Sequence, residues 1–185
     1  MVSVLSLLIP IALSAVLVFI ASSIIHMATS WHKNDLRKLS NEDALMSALR
    51  PFNLPVGNYG IPKADSMKDM QSPEFQAKFK AGPVAFITIR PGDFTLGSTL
   101  VLWFIYSLVV SVFAAYIAGV ALAPGADYLR VFRVAGTVAF CGYGLGQIHE
   151  SIWWGRNWGW TTRNLIDSLL YGLLTGGAFG WLWPR

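Results

Sequence analysis

The amino-acid sequence predicts an all-α membrane protein with four transmembrane helices and a polar insert of short helices and irregular chain between the first two. Three observations predict this class: a composition poor in charge, four long apolar runs, and small residues repeated at four-residue intervals. The chain has 185 residues, of which 54% are hydrophobic and 13% are charged, whereas soluble domains carry about 25% charged residues. Such a chain has too little polar surface for a water-facing globule, so a lipid bilayer is its expected environment.

The four apolar runs lie at about residues 2–28, 96–123, 128–154 and 163–183. A bilayer core of about 30 Å is crossed by a helix of about 20 apolar residues. Helix is required there because backbone polar groups find no water in lipid. The first run is preceded by no Lys or Arg and is longer than a signal-peptide core. We therefore expect a retained first span and one integral-membrane domain covering residues 1–185.

The segment at residues 29–95 separates the first two runs. Ser40 is expected to cap a short helix that ends at Pro51. Residues 52–62, rich in Pro, Gly and Asn, predict irregular chain. Ser72 is expected to cap a second helix. Residues 84–89 are expected to form a short strand or extended stretch. Such a segment could serve as a docking surface for another protein or as a structural cap, and the sequence leaves both open.

Charge bias predicts the orientation of the chain in its membrane. The basic residues of the insert and of the connection between the last two runs outnumber those on the other side, so the insert is expected in the cytoplasm and both termini outside. Acidic residues are interspersed among the basic ones, which argues against a nucleic-acid partner. The basic residues expected on the cytoplasmic side are Lys33, Arg37, Lys38, Arg50, Lys63, Lys68, Lys78, Lys80, Arg90, Arg156 and Arg163, against Arg130, Arg133 and Arg185 on the other.

Small residues recur at four-residue spacing within the apolar runs. In lipid, helices associate through close backbone approach, which small side chains permit. These stripes could be used inside one four-helix bundle or partly against a second subunit. Cys141 is expected to be another small buried packing residue. The predicted helix-packing residues are Ser107, Ser111, Ala115, Gly119, Gly142, Gly146, Gly172, Gly176 and Gly180.

Four histidine or acidic residues fall within the apolar runs: His26, His149, Glu150 and Asp167. Charged groups cost roughly 2.5–3.5 kcal/mol each at the centre of a membrane helix, so they are expected to find partners. Counting from the connection near Trp158 places them at similar depth, close to the cytoplasmic boundary. We therefore expect them to converge.

Three interpretations of this convergence are open. In the first, His149 pairs with Asp167 and Glu150 meets Arg156 or Arg163, which locks the helix ends together. In the second, the two histidines and two carboxylates are candidate ligands for Zn, Fe or Mn. In the third, they relay protons or ions. His32, just beyond the first run, is expected to face headgroups or solvent.

Several stretches together resemble a widespread, uncharacterised bacterial inner-membrane protein family of similar length. They are residues 31–35 (Trp-His-Lys-Asn-Asp), 72–75 (Ser-Pro-Glu-Phe), the Gly82-Pro83 pair and the ending at residues 177–184. The resemblance implies a bacterial multi-pass membrane protein. It implies no activity and no catalytic residue.

The sequence thus favours a non-enzymatic accessory or scaffolding subunit, in contact with other membrane proteins or with itself. It carries no nucleophile elbow, phosphate-binding loop or haem-attachment motif, so we expect no catalytic residue and no cofactor. The alternative is a small oligomeric transporter or channel that uses the His/Glu/Asp cluster. A third possibility is a membrane metal-binding protein.

Overall fold

The computed structural model describes residues 1–93 and 95–185. The protein is mostly helical, at 68%. The chain divides into a helical unit, made of Met1–Arg37 and Leu96–Arg185, and an insert unit, Lys38–Thr95. Residues 29–37, expected in the insert, therefore belong to the helical unit.

The helical unit consists of long helices joined by short connections. Helix α1 covers Val4–Ala28 and ends in a π-helical turn at Ile24–Ala28. After the insert, the chain continues through the following elements: α5 at Leu96–Ala121, α6 at Tyr128–Phe140, a π turn at Cys141–Leu145, α7 at Gly146–Trp154, and α8 at Trp158–Trp181. Because α6, the π turn and α7 follow one another without a break, the predicted third run is one helical segment.

Short capping signals set where α7 ends and α8 begins. Gly155 adopts a left-handed conformation, with φ 64°, directly after α7, which glycine does without a Cβ penalty. The Asn157 side chain then accepts a hydrogen bond from the backbone N–H of Gly159 at 2.7 Å. Because this cap lies upstream of the apolar stretch, α8 begins five residues before the predicted position 163.

The helices form a closed arrangement in which α1 lies beside α5 and α8, and α6 also lies beside α5 and α8. Many fully buried positions on the facing sides are small or polar, including Ser14, Ser107 and Ser111, beside larger apolar ones such as Leu7 and Phe179. Ser14 donates to Ser111 Oγ at 2.9 Å between α1 and α5. Small side chains at these positions allow the helices to approach closely.

Glycines mark the closest contact, which is between α6 and α8. A Cβ on Gly176 would lie 2.6 Å from the carbonyl oxygen of Phe132, and a Cβ on Gly172 would lie 2.8 Å from that of Gly136. Such a separation is shorter than van der Waals contact allows, so glycine is required at both positions. The α8 stripe is therefore used within the chain.

Among the described residues, two helices are long and apolar enough to cross a membrane by length and composition: Val4–Ala28 and Leu96–Ala121. They correspond to the first and second predicted spans.

The insert unit contains short helices and a two-stranded antiparallel sheet. Its elements are α2 at Glu42–Leu49, β1 at Gly57–Ile61, α3 at Met67–Met70, α4 at Pro73–Ala81 and β2 at Ala85–Ile89. The register pairs Gly57 with Ile89 and Ile61 with Ala85. The Ser72 side chain caps α4 by accepting from Phe75 N, as the sequence predicts, and β2 forms within the predicted residues 84–89.

Two expectations for the insert are wrong. The cap of α2 is Asn41, whose side chain accepts from Ala44 N at 3.2 Å, rather than Ser40; an Asn in the last position before the helix reaches that amide directly. Residues 52–62 are not wholly irregular, because they contain β1. The glycines and prolines of this stretch favour a loop, but pairing of the backbone with β2 outweighs that preference.

Candidate functional site

A polar site forms where the chain leaves α1 and turns back onto α8. The π turn at Ile24–Ala28 carries His26. Two further turns follow, in which Lys33 N donates to Ser30 O and Asp35 N donates to His32 O. These turns return residues 31–35 to the first turns of α8, where Arg163 and Asp167 lie four residues apart and so on one face.

His32 is held between two carboxylates. Its Nδ1 lies 2.5 Å from Asp35 Oδ2 and its Nε2 lies 2.6 Å from Asp167 Oδ2. Each ring nitrogen of His32 therefore faces a carboxylate oxygen at hydrogen-bond distance. The side chains of His32 and Asp167 are 11% and 6% exposed, which strengthens these charge-assisted bonds.

Two further donors complete this network. Arg163 donates to Asp35 Oδ1 through Nε at 2.8 Å and through a second nitrogen. The Trp31 indole N–H donates to Asp167 Oδ1 at 3.0 Å. The two carboxylates therefore share three partners: the His32 ring, the Arg163 guanidinium and the Trp31 indole. We call Trp31, His32, Asp35, Arg163 and Asp167 the ionic clasp.

The electrostatics of Asp35 reflect these partners. Burial by itself raises the pKa of the carboxyl group, but the hydrogen bonds and positive charges of His32 and Arg163 together act more strongly, so the pKa lies below the usual 3.8. An ionised Asp35 therefore stabilises the folded chain above about pH 4, and this contribution is lost as the pH falls through the lowered pKa.

His26 lies beside the clasp. Its ring stacks on that of His32, with centroids 4.2 Å apart and planes at 10°. Its Nδ1 lies 3.0 Å from the carbonyl oxygen of Ser22, so this nitrogen carries the proton. One possible ligand atom from each of His26, His32 and Asp167 lies within 4.8 Å of the others.

A cavity of about 420 Å³ opens onto this group. It is lined by Ile25, Thr29, Ser30, Trp31 and Asp167. Asp167 is therefore reachable from outside the helical unit although the residue is only 5% exposed.

The expectation that the four histidine and acidic residues converge is partly wrong. The partners of Asp167 are His32 and Trp31 rather than His149, which is exposed on α7. Glu150 does meet Arg156, at 3.5 Å. The π turn at residues 141–145 adds a residue to the helical turn, which changes the direction in which the following side chains point.

His32 is buried in the network, so the expectation that it faces headgroups or solvent is wrong. Two spacings in the sequence could have indicated the clasp: His32 and Asp35 are three residues apart, and Arg163 and Asp167 are four apart. Each spacing places both members on one side of a helical turn. The spacings do not indicate that the two pairs lie together in the fold.

The structure places the predicted packing residues as follows. Fully buried on α5 are Ser107, Ser111 and Ala115, and a Cβ on Gly119 would clash with the carbonyl oxygen of Val2. A Cβ on Gly180 would lie 2.7 Å from the ring of Tyr128.

The third helical segment departs from the predicted pattern. A Cβ on Gly142 would lie 3.1 Å from Val110 Cγ1, whereas one on Gly146 would have no atom within 4 Å among the described residues. Sequence reasoning missed Gly136 and Gly144, whose added Cβ atoms would lie 2.9 Å from Gly172 and Ser168 respectively. Cys141 is exposed rather than buried, because it lies on the outward side of its π turn.

Comparison of the chain with protein-family models, with curated proteins and with solved structures gives no match.

Proposed function

We propose that the protein is a four-span bacterial inner-membrane protein that acts as a non-enzymatic subunit, packed against other membrane proteins. The observation that carries this proposal is the distribution of side chains in the helical unit. Many small and hydroxyl-bearing residues lie inside it beside a few large apolar ones such as Leu7 and Phe179, whereas many large apolar residues lie outside on every long helix. A bilayer, unlike water, stabilises such an arrangement.

The outward apolar surface includes the helices beyond the first two. On α8, Ile166, Leu169 and Leu173 are about half exposed, and on α7 Ile152 is 60% exposed. Exposed apolar area of this extent marks contact with lipid or with another protein. This supports a membrane location for α6, α7 and α8 as well as for α1 and α5.

The ionic clasp supports a structural role for the buried charges. It ties the chain that follows α1 to α8 through Arg163, Asp35, His32 and Asp167. Charges that satisfy one another in this way fix the end of the bundle without a catalytic function.

The outward face of α5 is the contact surface we assign to a partner. It is a row of exposed aliphatic side chains that also carries two aromatic ones, Phe113 and Tyr116, and aromatic residues are enriched at protein interfaces. The row consists of Leu102, Ile105, Val109, Phe113, Tyr116 and Val120.

Purification from the native host in mild detergent, with native mass determination, tests this proposal. We expect a stoichiometric second protein. Changing Phe113 and Tyr116 together to Ala should release that protein, and changing Leu169 and Leu173 on α8 together to Ala should not. A monomer from the native membrane would contradict the subunit role, and a symmetric homo-oligomer would favour the transporter or channel alternative.

A further inference from the structure

We propose that His26, His32 and Asp167 form a binding site for one divalent first-row transition-metal ion, with Asp35 as an outer residue that orients His32. This site goes beyond the subunit role, because it needs no partner protein. It uses two imidazole nitrogens and one carboxylate oxygen, a donor set suited to Zn²⁺, Fe²⁺ or Co²⁺.

Both histidines are oriented as metal-binding histidines usually are. Such a residue donates its second ring N–H to a carboxylate or a backbone carbonyl, which sets the tautomer and directs the other nitrogen to the metal. Here Nδ1 of His26 donates to Ser22 O at 3.0 Å and Nδ1 of His32 donates to Asp35 Oδ2 at 2.5 Å. The ligand nitrogen is therefore Nε2 in both rings.

The separations suit an ion after a small adjustment. With metal–ligand distances of about 2.0–2.1 Å, tetrahedral ligands lie roughly 3.3–3.5 Å apart. The three ligand atoms now lie within 4.8 Å of one another, and His32 Nε2 lies 2.6 Å from Asp167 Oδ2. The ion takes the place of the Nε2 proton between these two atoms, and that proton leaves to solvent.

The stacking of the two rings brings both imidazole groups to one place. The ring centroids of His26 and His32 lie 4.2 Å apart and the planes are nearly parallel, at 10°. One nitrogen from each ring therefore lies within reach of a common ion, together with an oxygen of Asp167.

The cavity at Ile25, Thr29, Ser30, Trp31 and Asp167 provides the entry path. It reaches Asp167 from the outside, so an ion can arrive without opening the bundle. Three protein ligands beside an open cavity leave a coordination position for water or another small ligand, the pattern of non-structural metal sites.

Binding of Co²⁺ to the full-length protein in detergent, after chelator treatment, tests the site. We expect one Co²⁺ per chain, with the visible absorption of a four- or five-coordinate ion, displaced by Zn²⁺ and not by Mg²⁺ or Ca²⁺, which prefer all-oxygen sites. His26→Ala should weaken Co²⁺ binding by at least about tenfold. Even the loss of a residue that only orients a ligand weakens metal binding by about tenfold or more, so the loss of a ligand should do no less.

His149→Ala is the matched control, because His149 is an exposed histidine of the same unit outside the ligand group. It should bind Co²⁺ as the wild type does. His26→Gln keeps a side chain of similar bulk and removes the imidazole, so it serves should His26→Ala not fold. A wild-type protein that takes up no Co²⁺, or a folded His26 variant that binds within tenfold of the His149→Ala protein, would overturn the metal site.

Discussion

At the scale of single residues, the burial of the carboxylates around His32 distinguishes this site from an ordinary surface ion pair. Asp35 and Asp167 are each about nine-tenths buried or more at the side chain, whereas Lys63 and Asp65 of the insert are 71% and 86% exposed. Exposed pairs contribute little because water screens them and side-chain ordering opposes them. Removal of one member of a buried network leaves its partners without compensation.

Replacing Asp35 by Asn should therefore destabilise the helical unit. The substitution removes the charge that Arg163 and His32 both contact, and hydrogen bonds to charged groups contribute about 1.5–3 kcal/mol each. We expect the free energy of unfolding in detergent, measured by denaturant titration, to fall by about 1–3 kcal/mol. Asp65→Asn makes the same chemical change at an exposed pair and should leave the midpoint unchanged. Equal midpoints for the two variants would argue against a stabilising clasp.

Only part of the site could be predicted at this scale. The cost of an ionisable group in an apolar run singled out Asp167 and His26, and the structure brings both to one place. His149 was singled out for the same reason and lies apart from them. It is exposed on α7, which follows the π turn at Cys141–Leu145, and such a turn changes the direction of the side chains after it.

At the scale of elements, the contact between α6 and α8 depends on glycine at facing positions. Phe132 O and Gly136 O lie where the Cβ atoms of Gly176 and Gly172 would be. Since these are backbone atoms, no side-chain rotation can relieve the overlap. The helices must separate to accommodate any larger residue.

Gly176→Ala should therefore loosen the bundle, with a loss of about 1–3 kcal/mol of unfolding free energy, typical of an overpacked interior. Gly172→Leu should act in the same direction and more strongly. Unfolding followed by tryptophan fluorescence in detergent provides the measurement.

Gly146→Ala is the control for this prediction, since a Cβ there meets no described atom within 4 Å. Alanine is favoured over glycine in a helix by about 1 kcal/mol, so this variant should be as stable as the wild type or more so. A Gly176→Ala protein that matches Gly146→Ala would show that the close approach is not needed.

The insert shows why some elements could not be read from local sequence. The cap at Ser72 and the strand near residue 85 carry local signals, and both are present. The strand Gly57–Ile61 carries two glycines and no clear alternation. It exists because its backbone groups pair with those of Ala85–Ile89, and even the nearest pair, Ile61 with Ala85, is 24 residues apart in the chain.

At the scale of the whole molecule, the ends of the helical unit differ. At one end, Val2 N donates to Gly119 O and Gly125 N donates to Pro184 O, both at 2.8 Å. The residues near both termini therefore lie at the end formed by the connection between α5 and α6. The ionic clasp lies where α1 ends and α8 begins, which is the opposite end of those helices.

This arrangement makes the predicted orientation testable with cysteines. In a Cys141→Ala background, Arg185→Cys should react with a membrane-impermeant maleimide in intact cells, and Asp65→Cys in the insert should react only after the membrane is opened. The expectation follows from the excess of basic residues in and beside the insert. The reverse pattern of labelling would place the insert outside, and labelling of both positions in intact cells would refute the spanning arrangement.

The sequence by itself predicted a lipid environment and the helices of the long segments, two of which are long and apolar enough to cross a membrane. Low charge and apolar length are properties of composition, and they require helix wherever water is absent. Only the tertiary structure decided which polar groups meet. His32 joins Asp167 across 135 positions because the chain reverses after the π turn of α1. That reversal depends on the packing of α1 against α8, which no local pattern of residues encodes.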